Sequence, residues 1–361
     1  MDFLFRYNAS FFATCHLAAM PTQPLFAYLR VTPKEGKPVV MIKEFELPPK
    51  QPDRPYGEPL LYFEGFMEGG FAVGTGQYSA ELVITDRSSV MGYKRWQLKT
   101  KQLDRIRRLP LAQKPNTVAS LDDPQWDGKL DAKGIRMTVL MDVAPFWVGA
   151  RSPLAEIDWS PSRPERSKVP PEDRLDLVES LAAVLTQIPC RSVRVVAFNL
   201  DQQTEVFRQD KFTPDGMAKL SKAMEELQLV TVPSQALARN AWADWLSRTM
   251  LREVSVSAPP EVVVFLGPRI HFDDKFPDRF LSQVQERHSQ VFYFKLDYPS
   301  RAGRDAVEQL TGAMRGRTLA VYSPETLQQA IEKVREYVST VPRQTLAPGA
   351  VGPQTPGNSP Q

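Results

Sequence analysis

The sequence predicts an α/β fold: a doubly wound, mostly parallel six-stranded sheet, preceded by an antiparallel β-sandwich domain. Three observations support this prediction. The first hundred residues alternate apolar and polar side chains between Gly- and Pro-containing turns, with no helical period. From about residue 132, buried strands alternate with amphipathic helices, a pattern typical of a mostly parallel sheet covered on both faces. The 361 residues are 42% hydrophobic, which is enough to form cores for two domains.

The predicted β-sandwich spans residues 1–103 and has the size of an immunoglobulin domain. "LFAYLRVTP" (25–33) has an alternating strand pattern, and "VVMIKEFELP" follows after a "KEGKP" turn, which indicates a hairpin. Glycines separate the later strands. "VGTGQY" (73–78) lacks the Lys-Ser/Thr pair and the following helix of a phosphate loop, so its glycines are interpreted as hairpin turns.

Two segments lack periodicity. Residues 104–131 contain three prolines and few β-branched side chains, and they are predicted to be a linker or crossover. Residues 342–361 hold five prolines and three glycines, so they cannot bury enough apolar surface to fold and are predicted to be a disordered tail.

The predicted α/β domain spans residues 132–341. Its buried strands are followed by helices with recognisable starts: Thr213 precedes Pro214, and Ser323 precedes Pro324. Six strands are predicted in this domain, namely "IRMTVLMD", "SVRVVAFNL", "TEVFRQD", "EVVVFLG", "QVFYFKLDY" and "TLAVYS". "TEVFRQD" is expected to be the hairpin partner of the strand before it, and no helix is predicted between "EVVVFLG" and "QVFYFKLDY". The helix "PPEDRLDLVESLAAVLTQI" should bury a face that carries Leu175, Val178, Leu181, Leu185 and Ile188.

Charge and composition exclude several classes of protein. The net charge is +3, so general affinity for nucleic acid is not predicted. The segment "KRWQLKTKQLDRIRR" (94–108) has seven basic residues and one acid; it is interpreted as a solvated strand edge and linker, with an anionic partner as the alternative. No apolar run reaches the roughly 18 residues of a membrane span. Cys15 and Cys190 are too few for a disulfide framework or a paired metal site.

The phrases "VRVVAFNLDQQTEVFRQDKFTPDGMAKL", "EVVVFLGPRIHFDDKFP" and "LTGAMRGRTLAVYSPETLQQAI" resemble the von Willebrand factor A domain, in the divergent form described as von Willebrand factor A-related in acidobacterial proteins. The resemblance covers about residues 132–340, and these relatives also carry a β-rich N-terminal region. It implies a Rossmann-like sheet and favours an extracytoplasmic location. The N-terminus "MDFLFRYNASFFATCHLAAMPT" lacks a basic region, so no signal peptide is predicted and the compartment stays open.

The resemblance directs attention to Asp142, at the end of the first buried strand. In metal-binding members of the family this strand ends in Asp-x-Ser-x-Ser, a middle loop supplies a threonine, and a second aspartate follows the fourth strand. Here Ala144 and Phe146 replace the two hydroxyl residues, and Gly267 stands where the second acid is expected. Too few oxygen ligands remain for Mg²⁺, so no metal is predicted and Asp142 is interpreted as a carboxylate that caps backbone N–H groups. The fallback is a rearranged cation site of Asp142, Ser234, Asp273 and Asp274.

No catalytic residue and no cofactor are predicted. The histidines at 16, 271 and 288 lack metal-ligand spacing, and Cys190, at a helix-to-strand junction, is interpreted as a small buried residue. His271 is the one acid–base candidate, and it is more simply a surface residue.

The leading hypothesis is a non-enzymatic protein-binding or assembly module with a degenerate metal-ion-dependent adhesion site. Apolar residues that follow the first and fourth strands would form a partner-binding rim, comprising Phe146, Trp147, Pro268, His271 and Phe272. The alternatives are an adhesion-type domain with a rearranged cation site and, third, a hydrolase.

Overall fold

A computed structural model describes residues 1–17, 24–45, 63–86, 88–102, 109–121, 124, 126–144, 171–227, 241–269, 276–286, 289–296 and 305–340. The N-terminal half of the described chain is built from strands, as the alternating pattern predicts. These strands are β1 (Tyr7–Leu17), β2 (Leu25–Pro33), β3 (Val39–Phe45), β4 (Phe63–Val73), β5 (Gly76–Thr85), β6 (Val90–Thr100) and β7 (Val118–Ser120).

The seven strands form two antiparallel sheets. One sheet has the order β1-β4-β7 and the other has the order β3-β2-β5-β6. The predicted hairpin of β2 and β3 is confirmed, with Leu29 opposite Met41. Apolar side chains of both sheets join one core cluster, which includes Leu29 of β2, Phe71 of β4 and Leu82 of β5. The antiparallel prediction is therefore confirmed, while the immunoglobulin-like assignment stays a prediction.

The strand β7 lies within residues 104–131, the range predicted to be a linker. It pairs with β4, with Ala119 opposite Ala72. In the same range, Leu109 and Trp126 are buried in the core of the α/β part. The described residues of this range thus contact both parts of the molecule, and the division into domains stays a prediction.

The second half alternates strands with helices. Its elements are β8 (Ile135–Asp142), α1 (Pro171–Gln187), β9 (Cys190–Asn199), β10 (Thr204–Gln209), α2 (Pro214–Glu226), α3 (Ala241–Val254), β11 (Val262–Pro268), α4 (Asp278–Gln285), β12 (Gln290–Leu296), α5 (Ala306–Ala313), β13 (Arg317–Val321) and α6 (Pro324–Thr340). As predicted, Thr213 precedes α2 with Pro214 in its first turn. Ser323 and Thr326 exchange hydrogen bonds at the start of α6, in the manner of a helix cap.

The six strands form one sheet in the order β10-β9-β8-β11-β12-β13. β10 is antiparallel to β9, and the other neighbours are parallel. The prediction of a mostly parallel six-stranded sheet is confirmed at this level, including the hairpin of β9 and β10.

Both faces of the sheet are buried, because successive strand residues point to opposite sides. Val139 and Val264 join the core that also contains residues of α1, α2 and α6. Leu140 and Phe265 join a second core, with residues of α3, α4 and α5. The predicted buried face of α1 is confirmed for Val178, Leu181, Leu185 and Ile188, whereas Leu175 is exposed.

The prediction that no helix lies between β11 and β12 was wrong. The two strands are parallel neighbours, so the chain must return to the other end of the sheet between them. The helix α4 lies in this crossover. It spans only eight residues, which is too short to show a clear 3.6-residue period.

The first residues of the chain pack against the α/β part. Phe5 is buried in the core beside α1. The Arg6 guanidinium donates to Glu179 Oε1 (3.0 Å), and the Phe3 N–H donates to Glu179 Oε2 (3.1 Å). This segment therefore connects β1, which follows it, to α1.

None of the helices that the structure describes is both long and apolar enough to cross a membrane. The predicted tail at 342–361 lies outside the described residues.

Candidate functional site

The carboxyl edge of the six-stranded sheet is the first place to look for a site. The chain runs from β8 outward to β9 and β10, and then returns to the other side of β8 with β11. In open α/β sheets, ligands bind beyond the carboxyl ends of the strands, where the order reverses. Here that point lies between β8 and β11, which places Asp142 and Gly267 on its two sides.

Asp142 is buried, with 1% of its surface exposed. Its Oδ1 accepts hydrogen bonds from the N–H of Ala144 (3.2 Å) and from the N–H of Leu200 (3.2 Å). The carboxylate therefore joins the ends of β8 and β9. This is the backbone-capping role that the sequence predicts for Asp142.

The environment disfavours a charge on Asp142. Burial is the main cause and the neighbouring carboxylate of Asp201 adds repulsion, and together they raise the pKa of Asp142 to about 7. The two backbone N–H groups act in the opposite direction but are outweighed. Loss of water also raises the pKa of Asp201. Two carboxyl groups thus lie near enough to each other to interact.

Gly267 lies near the end of β11, beside the end of β8. A Cβ at this position would lie 3.1 Å from Asp142 Cβ and 3.2 Å from the Asp142 carbonyl oxygen. A side chain at 267 would therefore require Asp142 to give way by a few tenths of an ångström. The two strands are thus closely packed at this point.

The fallback cation site is only partly within the described structure. Ser234, Asp273 and Asp274 lie outside the described residues. Among the residues that the structure describes, no group of three or more His, Cys, Asp or Glu side chains could hold a metal ion. Of the predicted ligands, only Asp142 is placed, and one of its oxygens already accepts two N–H groups.

The predicted partner-binding rim also lies mostly outside the described chain. Phe146, Trp147, His271 and Phe272 are among the residues not described. Pro268 is placed as the last residue of β11, and it is buried. Its carbonyl oxygen accepts a hydrogen bond from the Tyr293 hydroxyl (2.9 Å).

Tyr293 makes a second contact here, with Asp305, which no sequence pattern predicted. The Tyr293 hydroxyl also lies 3.1 Å from Asp305 Oδ2, and Asp305 Oδ1 accepts from the N–H groups of Val307 and Glu308 at the start of α5. Burial raises the pKa of Asp305. An aspartate directly before a helix indicates a cap, so the role of Asp305 at the start of α5 can be predicted from the sequence. The contact of Asp305 with Tyr293 is known only from the structure. It is a structural link between β11, β12 and α5.

Cys190 is not suited to nucleophilic chemistry. It is a free, buried cysteine at the start of β9, as the sequence predicts. Burial raises the pKa of its thiol to about 12, so the reactive thiolate is scarce at neutral pH. His271, the acid–base candidate, and His288 lie outside the described residues.

A cavity of about 1410 Å³ lies at the opposite, amino-terminal edge of the sheet. Arg136, Arg191 and Glu261 line it, and Glu261 pairs with both arginines at 3.6 Å and 2.7 Å. Lys133 and Glu336 are also in the lining. Since cationic and anionic side chains alternate around it, the lining favours neither charge on a ligand.

A different surface stands out on the four-stranded sheet. Four residues lie opposite one another across the strands β3, β2, β5 and β6, in the order Ile42, Tyr28, Val83 and Tyr93. We call these four residues the apolar row. They lie on the outer face of the sheet, which is the face opposite the core shared with the other antiparallel sheet. Ile42 and Tyr93 are 62% and 61% exposed. Val40, Val90 and Met91, on the same two outer strands, are exposed as well.

The sequence of β3 also indicates the apolar row. In an antiparallel strand with one solvated face, apolar and polar residues alternate. β3 instead begins with four apolar residues, Val39 to Ile42, so both of its faces are apolar. Such a run in an outer strand indicates a second surface to be covered.

No protein-family model and no curated protein matches the chain. Among solved structures, similarity is found to a β-glucuronidase of Bacteroides uniformis, at 10% identity over 91% of this chain and 41% of that one, with a TM-score of 0.21. A second is Bacteroides uniformis β-glucuronidase 2, covalently bound to cyclophellitol-6-carboxylate aziridine, at 10% identity and a TM-score of 0.19. This chain spans about two fifths of their length. TM-scores this low carry no argument about fold or activity.

Proposed function

We propose that this protein is a non-enzymatic protein-binding module that contacts its partner through the outer face of the four-stranded sheet. The apolar row is the observation that carries the proposal. Exposed apolar residues that lie next to one another on a rigid surface are typical of sites of protein–protein contact. Single exposed apolar residues are common, but here four cross-strand neighbours form one continuous row.

The opposite face of this sheet supports the proposal, because it already has a structural role. Leu29 and Leu82 point into the core shared with the other antiparallel sheet. The alternation of strand residues places Tyr28 and Val83 on the other side, away from that core. Both side chains are half-buried, and the apolar surface that they expose is available for a partner.

A degenerate adhesion site is the second part of the proposal. The strand order β10-β9-β8-β11-β12-β13, with β10 antiparallel, supports a von Willebrand factor A-like domain, and the positions of Asp142 and Gly267 support the loss of its cation. Calorimetric titration of the full chain with Mg²⁺, Ca²⁺ and Mn²⁺ tests this part. We expect no binding heat; micromolar affinity that is lost in Asp142→Ala would establish the cation-dependent alternative.

The binding surface is tested with a double variant, Ile42→Lys with Tyr93→Lys. Proteins captured by the full chain from an extract of its source cells would be identified, purified and bound again in isolation. We expect the affinity of a true partner to fall at least tenfold in this variant. A matched control is Leu130→Lys with Tyr322→Lys, since these residues are also exposed, at 47% and 57%, but lie outside the sheet.

The control variant should bind as the original chain does. If no purified partner distinguishes the two double variants, the outer face is not the binding surface and the proposal fails. Circular dichroism and thermal unfolding of both variants verify that the fold is retained.

A further inference from the structure

The strand β6 is an outer strand with one side unpaired by any described strand. It pairs with β5 alone, at the end of the order β3-β2-β5-β6. After a register shift at its start, the pairing runs without interruption from Gly92 to Thr100. Every second residue of this stretch points its backbone N–H and C=O away from β5. These groups are a template on which another strand could pair.

Most natural outer strands are protected against such pairing by brevity, proline or irregularity. β6 is 11 residues long, contains no proline and has its one irregularity at the first residues. Its protection is electrostatic: Lys94, Arg95 and Lys99 are basic, and the strand contains no acid.

Much of this positive charge is not neutralised within the described chain. Arg95 lies 3.5 Å from Glu81, which also pairs with Arg30. Lys94 and Lys99 are exposed and have no carboxylate partner among the residues that the structure describes. Lys101 follows directly after the strand and extends the basic stretch.

The positive charge of β6 determines which kind of strand could pair with it. A second copy of β6 would bring lysine and arginine opposite lysine and arginine, which is unfavourable across a strand pair. An acid-rich strand would place opposite charges there and is attracted over a distance of about 8 to 10 Å at physiological salt. The same residues therefore exclude self-pairing and favour an acidic partner.

The register also defines the pattern that such a partner needs. Arg95 is opposite Glu81 and lies on the outer face with Tyr93 and Lys99. Trp96 and Leu98 lie on the inner face, where they pack against the core. An added strand would thus place acids beside the outer basic residues and apolar side chains beside Trp96 and Leu98.

We propose that the free side of β6 binds an extended segment of a partner protein, in which acidic and apolar residues alternate, as an added strand of the sheet. This inference rests on the proposed protein-binding function and specifies the mode and the chemistry of the partner. Main-chain hydrogen bonds would supply affinity, and the basic residues would supply the choice of partner.

The test uses the full chain and a short synthetic peptide in which Glu and Val alternate, with a fluorescent label at one end. We expect saturable binding by fluorescence anisotropy that weakens as salt is raised. Hydrogen exchange with and without peptide should show slower exchange in β6. A peptide in which Lys replaces Glu should not bind, and a peptide of the same composition with its Glu residues grouped should bind much more weakly.

The variant is Lys99→Glu, because Lys99 lies on the outer face, where the acids of the peptide would pair, whereas Lys94 lies on the inner face with Trp96 and Leu98. Since reversal turns an attractive cross-strand pair into a repulsive one, we expect affinity to fall roughly fivefold or more. The matched control, Lys211→Glu, changes the net charge equally, away from β6, and should bind as the original chain does.

Three outcomes would overturn the inference: no binding of the alternating peptide, equal binding by the two variants, or binding without slower exchange in β6. Concentration-dependent dimerisation with slower exchange in β6 would also overturn it, in favour of a second copy. These failures are distinct from failure of the proposed function. A purified partner that is lost in Ile42→Lys with Tyr93→Lys would keep the binding role without strand addition.

Discussion

Gly267 of β11 packs against Asp142 of β8 so closely that a Cβ at position 267 would lie 3.1 Å from Asp142 Cβ. The Asp142 carbonyl oxygen and nitrogen would be 3.2 Å and 3.3 Å from it. These are atoms of a central strand, which cannot move without disturbing its neighbours. The glycine and the buried acid thus form one close contact at the point where the strand order reverses.

Gly267→Ala should destabilise the protein by roughly 1 to 3 kcal/mol, because the added methyl group overpacks the contact with Asp142. The free energy of unfolding in urea measures this. Gly312→Ala is the matched control: a Cβ at 312, in α5, meets no atom within 4 Å. Since alanine favours a helix over glycine, the control should gain up to about 1 kcal/mol. Equal effects of the two changes would contradict the close packing at Gly267.

Asp142→Asn should remove a dependence of stability on pH. The pKa of Asp142 is raised from its ordinary value of 3.8 to about 7, so the folded state keeps a proton that the unfolded chain releases. This stabilisation is complete below pH 3.8 and is lost as the pH rises to about 7, by about 1.4 kcal/mol per pH unit. Asparagine does not titrate and can still accept from the N–H groups of Ala144 and Leu200.

The difference in unfolding free energy between Asp142→Asn and the original chain should therefore shift in favour of the variant from pH 5 to pH 7 and then level off. Urea titrations at several pH values give the two curves. In the Asp201→Asn background this difference should level off at a lower pH, because Asp201 adds to the raised pKa of Asp142. Parallel curves for the original chain and Asp142→Asn would refute the raised pKa.

Glu253→Gln should destabilise the protein by about 3 kcal/mol or more. The Glu253 side chain is buried on α3 and accepts from Arg194 (3.3 Å) on β9, Arg208 (2.5 Å) on β10 and Arg252 (3.1 Å) on α3 itself. Without the charge of Glu253, three guanidinium groups lose their common partner. Thermal and urea unfolding measure the loss. Lys222→Ala, which removes an exposed pair with Glu226 at 3.6 Å, should cost below about 0.5 kcal/mol.

Arg6→Ala should release the N-terminal segment from α1. Glu179 would remain buried with the N–H of Phe3 as its donor, and the pKa of its carboxyl, already raised by burial, would rise further because Arg6 is one of the groups that lowers it. We expect a loss of about 3 kcal/mol and faster hydrogen exchange at residues 3–6. Arg174→Ala is the control on the same helix, since its partner Glu225 (3.4 Å) is exposed. A stability loss without faster exchange in this segment would contradict the release.

Local patterns in the sequence predicted most of the elements. The four central strands of the larger sheet, β9, β8, β11 and β12, were recognised from runs of apolar residues, because a strand covered on both faces needs apolar side chains at nearly every position. The hairpins of β2 with β3 and of β9 with β10 followed from short connections. The helix α4 was missed, because eight residues hold too few turns for a period to be recognised.

The candidate sites were harder to predict. The capping role of Asp142 followed from the absence of hydroxyl neighbours at 144 and 146, but its partner Leu200 lies 58 residues away. The apolar row depends on the register of four strands. A change of one residue in any strand would turn Ile42, Tyr28, Val83 or Tyr93 to the other face.

By itself, the sequence determined the class of fold and the order of the elements, because periodicity and turn residues act over a few neighbouring positions. It also determined that Ala144 and Phe146, and not hydroxyl residues, follow Asp142. Only the tertiary structure decided that Gly267 packs against Asp142, that Glu253 gathers arginines from two strands, and that an apolar row and a basic outer strand lie on the smaller sheet. Such contacts join residues far apart in the chain, and they are set by strand order and register, which local patterns do not encode.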